Sequence, residues 1–135
     1  MNEANTQKLY ADFPRLYHEA IAGERMRFGF ECGDGWFNLV YQLSSDIESE
    51  ACALGLDPDA WPMAIQVKEK FGTLSFYLSA GKRDIDGRGM VSSIRDLVTK
   101  AAKASATICE QCGCTGTLKR DGYWHTSCDE CEAKH

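Results

Sequence analysis

The sequence predicts an α+β fold: a small antiparallel sheet of one strand and a hairpin, packed against helices, with a zinc-ribbon-like hairpin at the C-terminal end. Three observations predict it. Residues 36–54 and 90–104 carry apolar side chains at steps of three and four, the period of amphipathic helices. Residues 65–78 between them alternate on either side of a short charged turn, the pattern of a β-hairpin. Five of the seven cysteines fall within the stretch 109–131. A chain of 135 residues suits one domain with a real core. We divide it into a core over 1–106 and a ribbon tail over 107–135, expected to form one compact unit.

The elements follow in order. In "TQKLYADFPRLYHEAIAGE", Leu9, Phe13, Leu16 and Ala20 are at helical spacing, and Pro14 predicts a break because proline cannot sit inside a helix without losing a hydrogen bond. Gly23 supplies a stop. "RMRFGFE" alternates Met26, Phe28 and Phe30, as a short strand would. The clearest helix places Trp36, Val40, Leu43, Ile47, Ala51 and Leu54 on one face, with Asp34 as its N-terminal cap and Gly55 as its end. "LDPDAWP" reads as a loop. Ile65 and Val67 alternate, "KEKFG" turns the chain, and Leu74, Phe76 and Leu78 alternate again. "KRDIDGRG" is a polar loop. Met90, Ile94, Leu97, Ala101 and Ala104 align the last helix, which feeds into Cys109. Trp36, Ile47, Val67 and Phe76 are expected in the core.

The cysteine tail carries the strongest chemical signal. Cys109, Cys112, Cys128 and Cys131 form C-x2-C-x15-C-x2-C, a zinc-site spacing. A tight turn with two cysteines two residues apart can aim both sulfurs at one point, and two such knuckles complete a tetrahedron. The intervening "TLKR" and "YWHT" fit a hairpin turning at Asp121-Gly122. A thioredoxin-like role needs a single C-x2-C opening a helix, and disulfides are rare in a reducing compartment. Cys114 and His125 lie near enough to compete as ligands, but Cys112 makes the better knuckle and His125 suits an exposed strand position. Four thiolates leave no open coordination position, so the expected cofactor is one structural zinc.

Composition and charge exclude several classes. Apolar residues are 44% and charged residues 26%, which is globular rather than disordered composition. No run approaches the ~18 apolar residues of a membrane span. The opening "MNEANTQKLYADF" has no secretory pattern, so the expected compartment is the cytoplasm. The net charge is −5, with 4 basic and 11 acidic residues in 1–62 and 7 basic and 4 acidic in 63–100. General nucleic-acid binding is therefore expected to be weak, since such binders carry a basic excess.

Further residues have a functional and a structural reading. Cys32 in "FECGDGW" suits a thiol activated by a helix start, or a small buried residue at a tight turn with Gly33 and Gly35 serving geometry. The second reading is preferred because no histidine lies nearby in sequence. Cys52 is expected to be packed and His18 to be at the surface. The candidate interaction residues are Asp46 and Glu50 on an acidic helix face, Lys68, Lys70 and Phe71 in the hairpin, and Trp124 in the ribbon. The lysines also suit protection of a hairpin edge.

Taken together, "FPRLY", "FGFECGDGWFNLV", "QVKEKFGTLSFY", "IRDLV" and the "CEQCG…CDEC" tail resemble, in that order, a family of small proteins of bacterial genomes, prophages and phages. The resemblance covers nearly the whole chain. It implies a zinc-ribbon tail and a mobile-element origin, and it transfers no catalytic residue. Cys114 departs from the family pattern, where a small residue such as alanine follows "CG", which makes it the weakest candidate ligand. Three functions follow as expectations: a non-enzymatic protein that binds a host protein, with inhibition of a bacterial defence system as a use that would suit it; a nucleic-acid-binding accessory protein; and a small enzyme with a site around Cys32 and Asp34. The first is preferred, because no nucleophile–base pair and no nucleotide motif is readable.

Overall fold

The computed structural model describes residues 1–81, 84 and 89–134. Its layout is α+β. Helix α1 (Glu3–Asp12) starts where the Asn2 side chain accepts the Asn5 N–H at 2.8 Å, and it ends before Pro14. A single turn, α2 (His18–Ile21), then stops at Gly23, which holds φ +78°.

The expected strand over 26–31 shrinks to β1 (Phe30–Glu31). Met26 and Gly29 both take left-handed backbone conformations, and the Gly29 N–H closes a turn onto the Met26 carbonyl at 2.8 Å. The alternation is thereby broken, and Phe28 is left 83% exposed.

A 3₁₀ turn at Asp34–Trp36 leads into α3 (Phe37–Leu54), which ends at Gly55 with φ +64°. Asp34 does not cap this helix. Its carboxylate accepts from the Asn2 N–H at 2.6 Å and the Asn5 side-chain amide at 3.3 Å, tying down the start of the chain. Val40, Leu43, Ile47 and Ala51 form the buried stripe of α3, whereas Leu54 and Cys52 are exposed, the latter contrary to expectation because it falls off that stripe.

The "LDPDAWP" segment contains a short 3₁₀ turn, and β2 (Pro62–Lys70) already begins at its last residue. Strand β3 (Thr73–Ala80) pairs with β2 antiparallel, joined through Phe71 at φ +53° and Gly72 at φ +85°. Two consecutive positive φ values make the twisted two-residue turn that suits a hairpin. The register slips between Ala64 and Gln66. One extra residue at Ile65 lets both Ala64 and Val67 face the core and leaves Ile65 half-buried, so the expected Ile65–Val67 alternation does not hold.

The sheet order is β1-β2-β3, and β1 runs parallel to β2. The sheet is thus mixed rather than purely antiparallel. The reason is the connection: an 18-residue helix between β1 and β2 carries the chain back, which yields a parallel neighbour, while the tight turn after β2 yields an antiparallel one. Helix α4 (Ser92–Ser105) packs on α3 and β3 and buries Ile94 and Ala101, with Leu97 half-buried. The expected polar loop at 82–89 falls mostly outside the described residues. Leu9, Leu16, Tyr17, Trp36, Val40, Ile47, Val67 and Ile94 are fully buried, and Phe76 is nearly so. Among the described residues no helix is long and apolar enough to cross a membrane.

Candidate metal centre

After α4 the chain bends through Ile108, which forms a bridge with Thr115, and enters the first knuckle at Cys109. Gly113 makes this knuckle possible. It holds φ +82°, and its N–H returns to the Cys109 carbonyl at 2.9 Å. Strand β4 (Thr117–Lys119) then pairs antiparallel with β5 (His125–Ser127). The connection is the five-residue loop 120–124 with Gly122 at φ +72°, longer than a two-residue Asp121-Gly122 turn, because pairing stops at Lys119 and His125. The second knuckle opens a short helix, α5 (Asp129–Glu132), where the Cys128 sulfur accepts the Cys131 N–H at 3.4 Å.

The fold brings together all four predicted cysteines. The sulfurs of Cys109, Cys112, Cys128 and Cys131 lie within 4.8 Å of one another, with Cys112 and Cys128 at 3.6 Å. Metal–sulfur bonds of about 2.3 Å in a tetrahedron require sulfurs roughly 3.8 Å apart, so the arrangement fits one ion. Burial opposes charge on Cys109, but the N–H groups of Cys112, Cys128 and Gln111 and the Cys112 thiol bring its pKa down to about 6. Cys131 is pushed up to about 12, first by hydrogen bonds to Cys128 and Cys112. Four sulfurs crowded together cannot all ionise without a cation, which is the electrostatic setting a metal resolves.

The competing ligands are accounted for. Cys114 is exposed, and its backbone carbonyl serves the knuckle by accepting the Cys109 N–H at 2.7 Å. His125 turns away: Nε2 meets Glu132 at 2.6 Å and Nδ1 meets the Tyr123 carbonyl at 2.8 Å. The four cysteines can hold a metal ion in a closed, structural role.

The ribbon is docked onto the core by two segments. At "ECGDGW", the Gly35 N–H donates to the Glu110 carbonyl at 2.8 Å, and the Gly33 N–H donates to the Glu110 carboxylate at 2.8 Å. The Trp36 indole donates to the Ile108 carbonyl at 2.8 Å. A Cβ on Gly35 would lie 2.1 Å from the Cys109 carbonyl oxygen, so glycine is needed for the close approach of the knuckle. At "KEKFG", Thr126 donates its hydroxyl to the Gly72 carbonyl at 2.6 Å, and Tyr123 donates its hydroxyl to Glu69. Cys32 is buried beside this junction, and burial first, then the Glu110 carboxylate, push its thiol up to about 12. That is the opposite of an activated nucleophile.

The predicted interaction residues separate into groups. Phe71 and Trp124 meet edge to face at 6.4 Å, 69% and 41% exposed. With Glu69, Lys70, Gly122 and Tyr123 they line an open groove of 690 Å³. Lys70 lies over Phe71, and Arg120, not singled out by the sequence, lies over Trp124 at 5.2 Å. Lys68 is half-buried and registers against Glu31 of β1. Asp46 and Glu50 are on α3, both half-buried, where Asp46 accepts from Gln42 at 2.9 Å. Tyr123, 74% exposed at the same groove, was also not singled out.

No family model matches the chain, and no curated protein and no solved structure matches it.

Proposed function

We propose that the protein is a non-enzymatic interaction protein in which one structural zinc closes the ribbon and fixes an aromatic recognition edge. The observation that carries this reading is the exposed pairing of Phe71 with Trp124. Large aromatic side chains left exposed, Phe71 at the turn of the core hairpin and Trp124 on the ribbon loop beside it, are the kind of anchor that protein partners bury. Zinc is favoured over harder cations because thiolates suit soft or borderline metals, and four of them leave no site for water or substrate. The buried, unactivated Cys32 argues against an enzyme at that position.

The partner we propose is a bacterial host protein met in the cytoplasm. Inhibition of a defence system would suit a chain of prophage or phage origin. A second reading has one observation in its favour: Lys70 and Arg120 beside aromatic faces could stack and neutralise a single-stranded nucleic acid. The chain's net charge of −5 weighs against it.

Capture with tagged, zinc-loaded protein from a bacterial lysate tests the main reading. The expected result is a specific protein retained by the native chain and lost with Phe71→Ala or Trp124→Ala. Identical captures by native and variant chains, or turnover of a nucleotide or metabolite by the purified protein, would contradict it.

A further inference from the structure

The aromatic groove does not stand alone. Glu69 and Tyr123 form its wall, and the same two residues line a second cavity of 470 Å³ on their other side. That second cavity is acidic. Among the described residues that line it, Glu31, Glu69, Glu110, Asp121 and Glu132 contribute five carboxylates, and His125 is the one basic side chain.

The two halves are built to keep this shape. Glu69 is held from both sides, by the Gly72 N–H at 2.6 Å and by the Tyr123 hydroxyl. Glu110 is fixed by the Gly33 N–H, and Glu132 by the Ser127 hydroxyl at 2.6 Å. The wall therefore belongs to both the hairpin and the ribbon, and a metal ion on the four cysteines would hold the ribbon in place. A four-thiolate centre with a divalent ion carries a net −2, which adds to the negative field.

We propose that this double groove docks a basic, extended segment of a partner protein, with an apolar side chain against Phe71 and Trp124 and a neighbouring arginine or lysine in the acidic cavity. The occupant follows from charge complementarity. Five carboxylates facing one histidine repel phosphate and attract a cation, and a cation also stacks on the exposed ring of Tyr123 at the shared wall. A nucleic-acid strand would gain from Lys70 and Arg120 but would meet the acidic cavity within the same footprint. A peptide that alternates apolar and basic side chains meets both halves with matching chemistry. This inference rests on the interaction reading above and names the chemistry of its partner.

The test uses the full zinc-loaded chain and three probes: a capped peptide alternating leucine with arginine, its twin with glutamate at every arginine, and oligothymidine. Backbone and indole N–H resonances are followed by NMR during titration. The expected result is that the arginine peptide shifts Gly122, Tyr123 and the Trp124 indole and binds at least about tenfold more tightly than its glutamate twin, with the preference shrinking as salt is raised. Asp121→Lys and Glu31→Lys, both at exposed positions, should each remove most of that preference while leaving the sulfur-site resonances unchanged. Equal binding of the two peptides, no binding, tighter binding of oligothymidine, or shifts that map away from the groove would overturn the inference. A host protein retained through Phe71 and Trp124 but indifferent to Asp121→Lys would also overturn it, while leaving the interaction reading intact.

Discussion

The indole N–H of Trp36 donates to the carbonyl oxygen of Ile108 across 2.8 Å, so the largest fully buried side chain among the described residues holds the residue that precedes Cys109, the first cysteine of the candidate metal site. Core and ribbon thus meet through a hydrogen bond whose donor is fully buried and whose acceptor is half-buried. Removing the donor with Trp36→Phe strands a half-buried carbonyl and leaves a void. A loss of roughly 1–3 kcal/mol is expected from the stranded group alone. Denaturant unfolding should show it, and metal affinity should fall with it. Unchanged stability would mean that the ribbon docks without this bond.

Gly35 gives a sharper geometric prediction. An added Cβ would lie 2.1 Å from the Cys109 carbonyl oxygen and 2.6 Å from that of Glu110. Both are backbone atoms that cannot swing aside. Gly35→Ala should therefore displace the first knuckle and speed loss of metal to a chelator, while α3 and α4 keep their helical circular-dichroism signal. A chelation rate equal to that of the native chain would show that the knuckle is not seated where Gly35 requires.

Cys32 should be inert. Its thiol is buried and pushed up to about 12, so almost none is thiolate near neutral pH. Brief alkylation of the metal-loaded protein, read by peptide mass spectrometry, should label the exposed Cys52 and Cys114 and spare Cys32. Rapid labelling of Cys32 would revive an enzymatic reading of "ECGDGW".

His125 should titrate above the ordinary imidazole range, first because the Glu132 carboxylate holds its proton and then because the Tyr123 carbonyl does. A raised folded-state pKa contributes stability that is fully present below the unfolded value of about 6.5 and is lost as pH rises through the folded value. The difference in unfolding midpoint between the native chain and His125→Gln should thus be larger at low pH than at high pH. A pH-independent difference would place the histidine outside this ion pair.

The sequence carried much of this at the level of period and spacing. The stripe from Val40 to Ala51, the hairpin and the four cysteines are local patterns, and each needs only its own neighbours to be read. What stayed hidden was non-local or depended on single backbone conformations. The parallel β1–β2 pairing depends on where α3 returns the chain. The bulge at Ile65 and the left-handed Met26 break alternations that look intact on paper. Gly33, Gly35, Glu69 and Gly72 looked like local turn chemistry, whereas they are also the seats of the ribbon. Arg120 and Tyr123 were not legible as site residues, because only the docking of the 120–124 loop beside Phe71 makes them neighbours of the groove.

The closed sulfur site underlies the docked ribbon, the aromatic edge and the double groove alike. X-ray absorption at the zinc edge of the purified protein tests it most directly. The account predicts one zinc per chain with four sulfur neighbours at about 2.3 Å and no lighter ligand. A nitrogen or oxygen atom in the first shell, or protein that folds with its ribbon docked and binds no zinc, would contradict it.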